Sequence, residues 1–378
     1  MVIAIYLGWI RHNACGGVES FTRNLLDGFK ALHNDNTYIL ICSKDNYDSF
    51  SHYLSDQRFR LIDSGIVTSN IIKSLQYESF KLDSIVSKCN ADICFVPTYR
   101  MPLLFKKNKY VVVIHDLQVC HYPRNFSFIR RTWIKQGSKR ATKRASKVVA
   151  ISDYVKNDIV ELLECSKNDV VTIHNPVLPS AEYEDFTIIK KDLDIEEGAF
   201  FYTVSSMAKH KNVLTLLKLM NLIKCSKTSN IPNKLVVSGI GLWKKDADNI
   251  DSNVILSYVH DNQLEDSVLF TGFVSDERRN SLIKHSSFFL FPSLFEGFGM
   301  PPIEALMIGT KVITTRCTSL PEVTYNKALY VSNPLDEQEW YDVICKHVND
   351  VCQPVSFDTY SPDYVARKYL GLFECVTR

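Results

Sequence analysis

Short, continuous apolar runs recur along the chain, each followed by a helix-length polar or amphipathic stretch. In the first half they are VIAIY (2–6), YILIC (38–42), ADICFV (91–96), YVVVIH (110–115), KVVAIS (147–152) and VVTIH (170–174). An acidic, irregular segment near 180–198 interrupts the pattern. It then restarts with FFYTVSS (200–206), KLVVSG (234–239), SVLFTGF (267–273), SSFFLFPS (286–293), KVITT (311–315) and ALYVS (328–332). Runs that are apolar throughout suit strands buried on both faces of a parallel sheet.

The pattern therefore predicts an α/β chain of two successive βα domains, each a doubly wound, Rossmann-like sheet. The expected plan is 1–184, then 185–357, then a C-terminal helix over 358–378 that packs back on the N-terminal domain. From Asp363 onward Val365, Tyr369, Leu372 and Cys375 recur at helical spacing and define the apolar face of that helix. Doubly wound sheets bind ligands at the carboxyl ends of their strands and at helix N-termini. Two such domains facing each other leave a cleft, so the chemistry is expected at strand ends that face it.

Composition narrows the class. Lys plus Arg exceed Asp plus Glu by 44 − 42, a net charge of +2, in a chain of 378 residues. The longest run free of charged residues is 12, Val170 to Ala181, well short of the roughly 18 apolar residues of a membrane span. The opening MVIAIYLGWI has neither a basic start nor a small-residue cleavage site, so it reads as a buried first strand and a cytoplasmic location is expected. The 11 cysteines form no CxxC, and Cys42, Cys94 and Cys345 sit in apolar runs, which predicts reduced core thiols.

The densest chemistry lies in FPSLFEGFGMPPIEALMIGTKVI (291–313). A strand runs into Glu296, a glycine turn follows, and Pro301 or Pro302 fits the first turn of a helix that carries Glu304 and that Gly309 can end. The backbone N–H groups of Phe298, Gly299 and Met300, together with the helix dipole, make an anion site suited to phosphate. Two carboxylates flanking a phosphate site match a ligand with a sugar at each side of its phosphates, a nucleotide sugar. The plainer reading of Glu304 is a favourable first-turn acid.

Three features add to this. Lys209 and Lys211, in VSSMAKHKN just past strand 200–206, supply cations for a diphosphate. Gly16 and Gly17 lie between the first strand and an amphipathic helix, where a phosphate-cradling turn belongs, but without the GxGxxG spacing of a dinucleotide site. His115 ends strand 110–115 at its carboxyl edge, where a histidine serves structure or contacts a sugar. Two Asp-x-Asp triplets, Asp192/Asp194 and Asp246/Asp248, fall in a linker and a polar loop, and no metal is expected to be needed.

These motifs resemble those of the family 4 retaining glycosyltransferases of the GT-B fold. The E-x7-E motif appears as Glu296 and Glu304 in EGFGMPPIEAL, followed by GTKVITT and SLPEV, with Lys311 where proline is common. GGVESFTRNLL, VVVIHDLQVCHYP and VVAISDYVKNDIV extend the likeness through the N-terminal half, and IHDLQVCHYP looks most like members that transfer mannose or rhamnose to bacterial surface polysaccharides. The resemblance implies that Lys211 binds the donor diphosphate, Gly17 approaches it, Glu304 takes the ribose and backbone at Val274 meets the base. It further implies that Glu296 holds the sugar hydroxyls, Phe298 to Met300 the phosphates, and that His115 contacts the sugar near its reacting carbon. Two departures stand out: Ser206 occupies a position often held by arginine, so that Lys209 is expected to compensate, and HNPV (174–177) replaces an Asn-Gly turn. Leaving-group charge can be met by cations and a helix N-terminus without a metal or other cofactor.

By this resemblance the chain moves a hexose, mannose from GDP-mannose by first preference, to a growing and lipid-linked glycan. A dTDP-rhamnose or UDP-sugar donor, or nucleotide-sugar binding without turnover, are the alternatives. A dinucleotide oxidoreductase lacks its fingerprint here.

One local asymmetry stands apart: from Lys106 to Lys147 there are 12 Lys or Arg and one acid, Asp116. Helical spacing places Phe126, Ile129, Trp133, Gly137 and Ala141 on one face, expected inward, and Arg131, Lys135, Lys139 and Lys143 on another, expected in solvent. Such a row is either a solvated face or a peripheral contact with anionic membrane or a pyrophosphate-linked acceptor. No nucleic-acid motif accompanies it.

Overall fold

The computed structural model describes the chain outside residues 12–15, 106–107, 207, 227–229 and 240–249. Its contacts divide it into two compact units, Met1–Val177 with Asp358–Arg378, and Leu178–Phe357. The division falls seven residues before the expected boundary at 184/185. Residues 178–184 belong with the second unit because Asn280 Nδ2 donates to the Ser180 carbonyl at 2.9 Å and Glu184 N to the Glu277 carbonyl at 3.2 Å.

The first unit holds β1 (Val2–Tyr6), β2 (Thr37–Cys42), β3 (Phe59–Asp63), β4 (Ile93–Val96), β5 (Tyr110–Ile114), β6 (Lys147–Ala150) and β7 (Val170–Thr172). All pair in parallel, in the order β3-β2-β1-β4-β5-β6-β7. The second holds β8 (Phe200–Val204), β9 (Lys234–Ser238), β10 (Val268–Gly272), β11 (Phe288–Phe291), β12 (Val312–Thr315) and β13 (Leu329–Val331), again parallel, in the order β10-β9-β8-β11-β12-β13. Strand direction of travel reverses between β1 and β4 in one sheet and between β8 and β11 in the other. These are the topological switch points, where the loops leaving the two central strands diverge and open a crevice.

Helices named below are α1 (Gly17–Ala31), α2 (Gln118–His121), α3 (Phe128–Arg144), α4 (Asp153–Leu162), α5 (Val213–Ser226), α6 (Asp276–His285), α7 (Met300–Ile308), α8 (Glu337–His347) and α9 (Pro362–Thr377). In the second unit α5 and α8 bury Leu216, Met220, Trp340 and Ile344 against Leu235, Val237 and Leu290 of the sheet.

The last helix, α9, lies against α1: a Cβ on Gly28 would collide with the Pro362 carbonyl, and Tyr369 and Phe373 pack on Phe95 with ring centroids at 5.1 and 5.5 Å. Its buried face is Val365, Ala366, Tyr369, Leu370 and Phe373. Leu372 is half-buried and Cys375 exposed, so the expected face is correct in its first turns and rotated in its last. Cys42 and Cys94 are core residues as the pattern implies, whereas Cys345 faces out from α8; the ten described cysteines are all free.

The larger correction concerns α3. Its C-terminal half buries Gly137, Ser138, Ala141 and Thr142. Its N-terminal half departs from the pattern on the apolar side, leaving Phe128 72%, Ile129 80% and Trp133 44% exposed, while Lys135 and Lys143 are exposed as the pattern implies.

Candidate functional site

At the second unit's switch point the loop leaving β8 docks on the loop leaving β11. The turn Lys209–Lys211 is followed by Asn212 in a left-handed conformation, φ 55°. Asn212 Nδ2 donates to the Pro292 carbonyl at 3.2 Å and the Pro334 carbonyl at 2.9 Å, and Leu294 N donates to the His210 carbonyl at 2.7 Å. This pinning brings Lys211 Nζ to 2.6 Å from Glu296 Oε1, with the side chains 24% and 13% exposed. Lys209, two residues earlier, is exposed and forms no ion pair among the described residues; Ser206 is also exposed.

The turn after Glu296 is held from the β12 side. Glu296 N donates to Thr318 Oγ1 at 3.0 Å, and Ser319 Oγ reaches the carbonyls of Glu296 and Phe298, both at 3.0 Å. Gly299 sits at φ 95°, where a Cβ would come 2.7 Å from the Leu320 side chain, so conformation and space both require glycine. Gly299 then caps α7 without any side-chain hydrogen bond, and Pro301 and Pro302 lack N–H groups, leaving backbone amides as the polar atoms at this helix start.

Glu304 lies one turn into α7, 6% exposed. Its partner is Arg279 on α6, Nη2 to Oε2 at 3.6 Å, and Arg279 also meets Asp276 at 2.9 Å. No described residue donates a hydrogen bond to the Glu304 carboxylate within normal distance, and Arg279 Nε is buried without an acceptor. Burial pushes the Glu304 carboxyl above its ordinary pKa, Arg279 pulls against this, and Asp276 adds to the rise. Burial works to lower the Arg279 pKa, but Glu304 and Asp276 more than offset it. This is a buried pair with capacity for further hydrogen bonds, which is uncommon for enclosed charges. Val274 is half-buried between β10 and α6, beside Phe273, which is 79% exposed.

The structure thus gathers Lys211, Glu296, Phe298, Gly299 and Met300 around one crevice and sets Glu304 on the helix that leaves it. Arg279, Asn212, Thr318 and Ser319 were not singled out from sequence. SLPEV was read as part of a motif, yet only the fold reveals that Ser319 clamps the glycine turn. Asp192 instead accepts from Arg278 at 3.2 Å and Asp194 from Lys234 at 2.9 Å, while Asp246 and Asp248 lie outside the described residues. Among the described residues no three His, Cys, Asp or Glu side chains gather as a metal site requires.

In the first unit His115 follows β5. Its Nε2 lies 2.8 Å from the Pro97 carbonyl at the end of β4, which can only accept, so Nε2 carries the proton and Nδ1 is the acceptor nitrogen. Burial lowers its pKa to about 4, against the pull of that carbonyl. The Phe21 ring of α1 meets the imidazole edge-on at 5.1 Å. Gly16 caps that helix and Gly17 begins it; both are exposed, Gly16 at φ 53°, and a Cβ on either would touch nothing within 4 Å. The glycine pair and His115 are therefore joined through α1.

Two doubly wound units, each with its polar residues at the switch-point loops, define the GT-B class of glycosyltransferase. The "Glycosyltransferase Family 4" model matches residues 15–180 and the "Glycosyl transferases group 1" model matches 185–357. The chain belongs to that family and is a glycosyltransferase. It is 27% identical to the O-antigen chain mannosyltransferase RfbU of Salmonella typhimurium over 86% of each chain. It is 25% identical to the O-antigen chain mannosyltransferase B of Escherichia coli over 67% of this chain and 63% of that one. A glycosyltransferase from Rickettsia africae superposes with a TM-score of 0.70 at 17% identity, covering 100% of this chain and 98% of the other.

Proposed function

We propose that the enzyme transfers mannose from GDP-mannose, with retention at the anomeric carbon, to a lipid-linked glycan in surface-polysaccharide synthesis at the cytoplasmic face of the membrane. The observation that carries the reading is the Lys211–Glu296 pair at the switch point, a cation and a hydroxyl acceptor side by side at 2.6 Å. A nucleotide sugar separates them: Lys211 turns to the diphosphate and Glu296 to hydroxyls of the sugar. Glu304, buried and under-supplied with donors, takes the ribose hydroxyls, and backbone at Val274 takes the base. The amides of Phe298 to Met300 face the phosphates. His115, a neutral imidazole, contacts the sugar near its reacting carbon, and Gly17 permits close approach to the diphosphate.

In the reaction the bond from the anomeric carbon to the phosphate oxygen breaks and its electron pair leaves on the diphosphate. The acceptor oxygen bonds to the carbon on the same face, and its proton passes to the departing phosphate. Lys211 and the α7 dipole stabilise the leaving charge without a metal. The mannose assignment rests on the two O-antigen mannosyltransferase relatives. The basic stretch 106–147 makes the peripheral membrane contact, and no nucleic acid is involved.

A second reading, nucleotide-sugar binding without turnover, is favoured by exposed Ser206, which leaves the diphosphate one cation short. Incubating the enzyme with GDP-mannose, dTDP-rhamnose and UDP-sugars, with and without chelator, and measuring nucleotide release separates these. Release from GDP-mannose in chelator supports the proposal, release from another donor corrects the sugar, and no release from any donor leaves a binding protein.

A further inference from the structure

The first unit's switch point lies between β1 and β4, and its loops gather polar side chains that the donor reading does not use. Tyr6 closes β1, Tyr99 and Arg100 follow β4, and Glu78 reaches in from the helix Ile71–Phe80. Arg100 Nη1 donates to Glu78 Oε1 at 2.7 Å, and the Tyr6 hydroxyl donates to the same oxygen at 3.2 Å. Burial and the neighbouring Glu78 carboxylate hold the Tyr6 hydroxyl well above its ordinary pKa, so it stays a donor. Both donors converge on one oxygen, and no described residue donates to Glu78 Oε2. The Glu78 side chain is 7% exposed, whereas that of Arg100 keeps 31% of its surface open. Half-buried Trp9, in the loop after β1, donates from Nε1 to the Tyr6 carbonyl at 3.2 Å.

An enclosed ion pair contributes little stability by itself, because lost hydration offsets the attraction. A pair that only tied the helix Ile71–Phe80 to the sheet would share its donors between both carboxylate oxygens. Here one oxygen carries two donors and the other none, and the guanidinium has N–H groups beyond the one that Glu78 uses. An available acceptor beside an available donor is the complement of two neighbouring hydroxyls, one accepting from Arg100 and the other donating to Glu78. The strands that flank a switch point are also where doubly wound sheets bind their ligands. We propose that Glu78 and Arg100 form a subsite for the acceptor glycan that reads two neighbouring hydroxyls on its terminal sugar. The inference rests on the glycan-acceptor reading above and deepens it, since the choice of acceptor sugar then comes from a matched donor and acceptor.

The test measures binding of octyl glycosides to the full chain without donor, by saturation-transfer NMR and by tryptophan emission. The panel is octyl mannoside, rhamnoside, galactoside and N-acetylglucosaminide, followed by the monodeoxy analogues of the tightest binder. Removing either of two neighbouring hydroxyls is expected to weaken binding about tenfold, and removing any other to change little. The double variant Glu78→Gln, Arg100→Gln replaces the ion pair by neutral hydrogen-bonding groups and strands no charge. It should bind the parent glycoside about tenfold more weakly and no longer distinguish it from those two analogues, while calorimetry finds GDP affinity unchanged. Trp9→Phe should remove the emission change and keep the NMR signal. No glycoside bound by the unaltered chain, equal affinity for every deoxy analogue, full discrimination in the double variant, or an emission change that persists in Trp9→Phe would each overturn the subsite. Should the double variant also lose GDP, its fold has failed, and the deoxy series and Trp9→Phe decide alone. Glycoside binding without nucleotide release from any donor would count against transfer and not against the subsite.

Discussion

The two switch points have the same strand order and arrange their charges differently. Between β8 and β11 the crevice is built from charge, Lys211 against Glu296, with Arg279 and Glu304 just behind. Between β1 and β4 a buried network stands instead, Arg100 Nη1 to Glu78 Oε1 at 2.7 Å and the Tyr6 hydroxyl to the same oxygen at 3.2 Å, while the neighbouring loop after β5 holds a neutral histidine bonded to a carbonyl. The sheet fixes where loops diverge, and the loop residues decide what the place can bind. A cation at the crevice suits a diphosphate, whereas a neutral imidazole such as that of His115 suits a sugar.

The strongest break of this contrast is Glu296→Ala. Transfer is expected to fall about a thousandfold, the scale of losing one preorganised contact to the reacting group. GDP affinity should hold or rise, because Lys211 is released from its carboxylate. Lys211→Ala should lose both, as steady-state kinetics and calorimetry with GDP would reveal. Parallel losses of GDP affinity in the two variants would mean that the pair acts only as a structural strut.

Next in size is Arg279→Met, which strands Glu304 as a buried carboxylate. Denaturant unfolding should register about 3 kcal/mol of destabilisation, and the loss should shrink in acid as Glu304 takes up a proton. An unchanged midpoint would show that water already reaches the pair.

The smallest effect belongs to His115. The unfolded chain protonates His115 near its ordinary 6.5, whereas the folded chain resists until about pH 4. Its contribution to stability is therefore complete above pH 6.5 and declines as pH falls through that window, by about 1 kcal/mol near pH 5.5. Replacing His115 by Asn should remove this part of the acid sensitivity. Identical acid profiles for the two proteins would place the imidazole in open water.

Twelve of the thirteen strands were legible as unbroken apolar runs, since burial on both faces leaves no room for polar positions. The exception, β3, is an edge strand; FRLID mixes Arg60 and Asp63 into a half-buried pattern that no continuous-run rule detects. The glycine turn and its two glutamates were legible because a turn at φ 95° and a helix start leave a residue signature. Arg279 was not, because its role depends on α6 and α7 meeting side by side, which spacing within one helix cannot report. The first half of α3 misled for a third reason: periodicity marks an apolar face but does not say whether the protein covers it. Whether a face is inward depends on what lies outside.

The packing of α9 on α1 has a consequence for how the molecule is made. Gly28 and the Pro362 carbonyl meet across a sequence separation of 362 − 28 = 334. Lys109 Nζ likewise reaches the Val376 carbonyl at 2.7 Å. Synthesis proceeds from the N-terminus, so the second unit is complete before the first receives its last helix. Until then Phe95 and the exposed flank of α1 have no cover, and the nascent first unit carries a bare aromatic patch throughout translation of the second. A ribosome paused within the second unit would therefore leave the first unit exposed to aggregation or chaperone capture, while the second unit, contiguous in sequence, closes on its own.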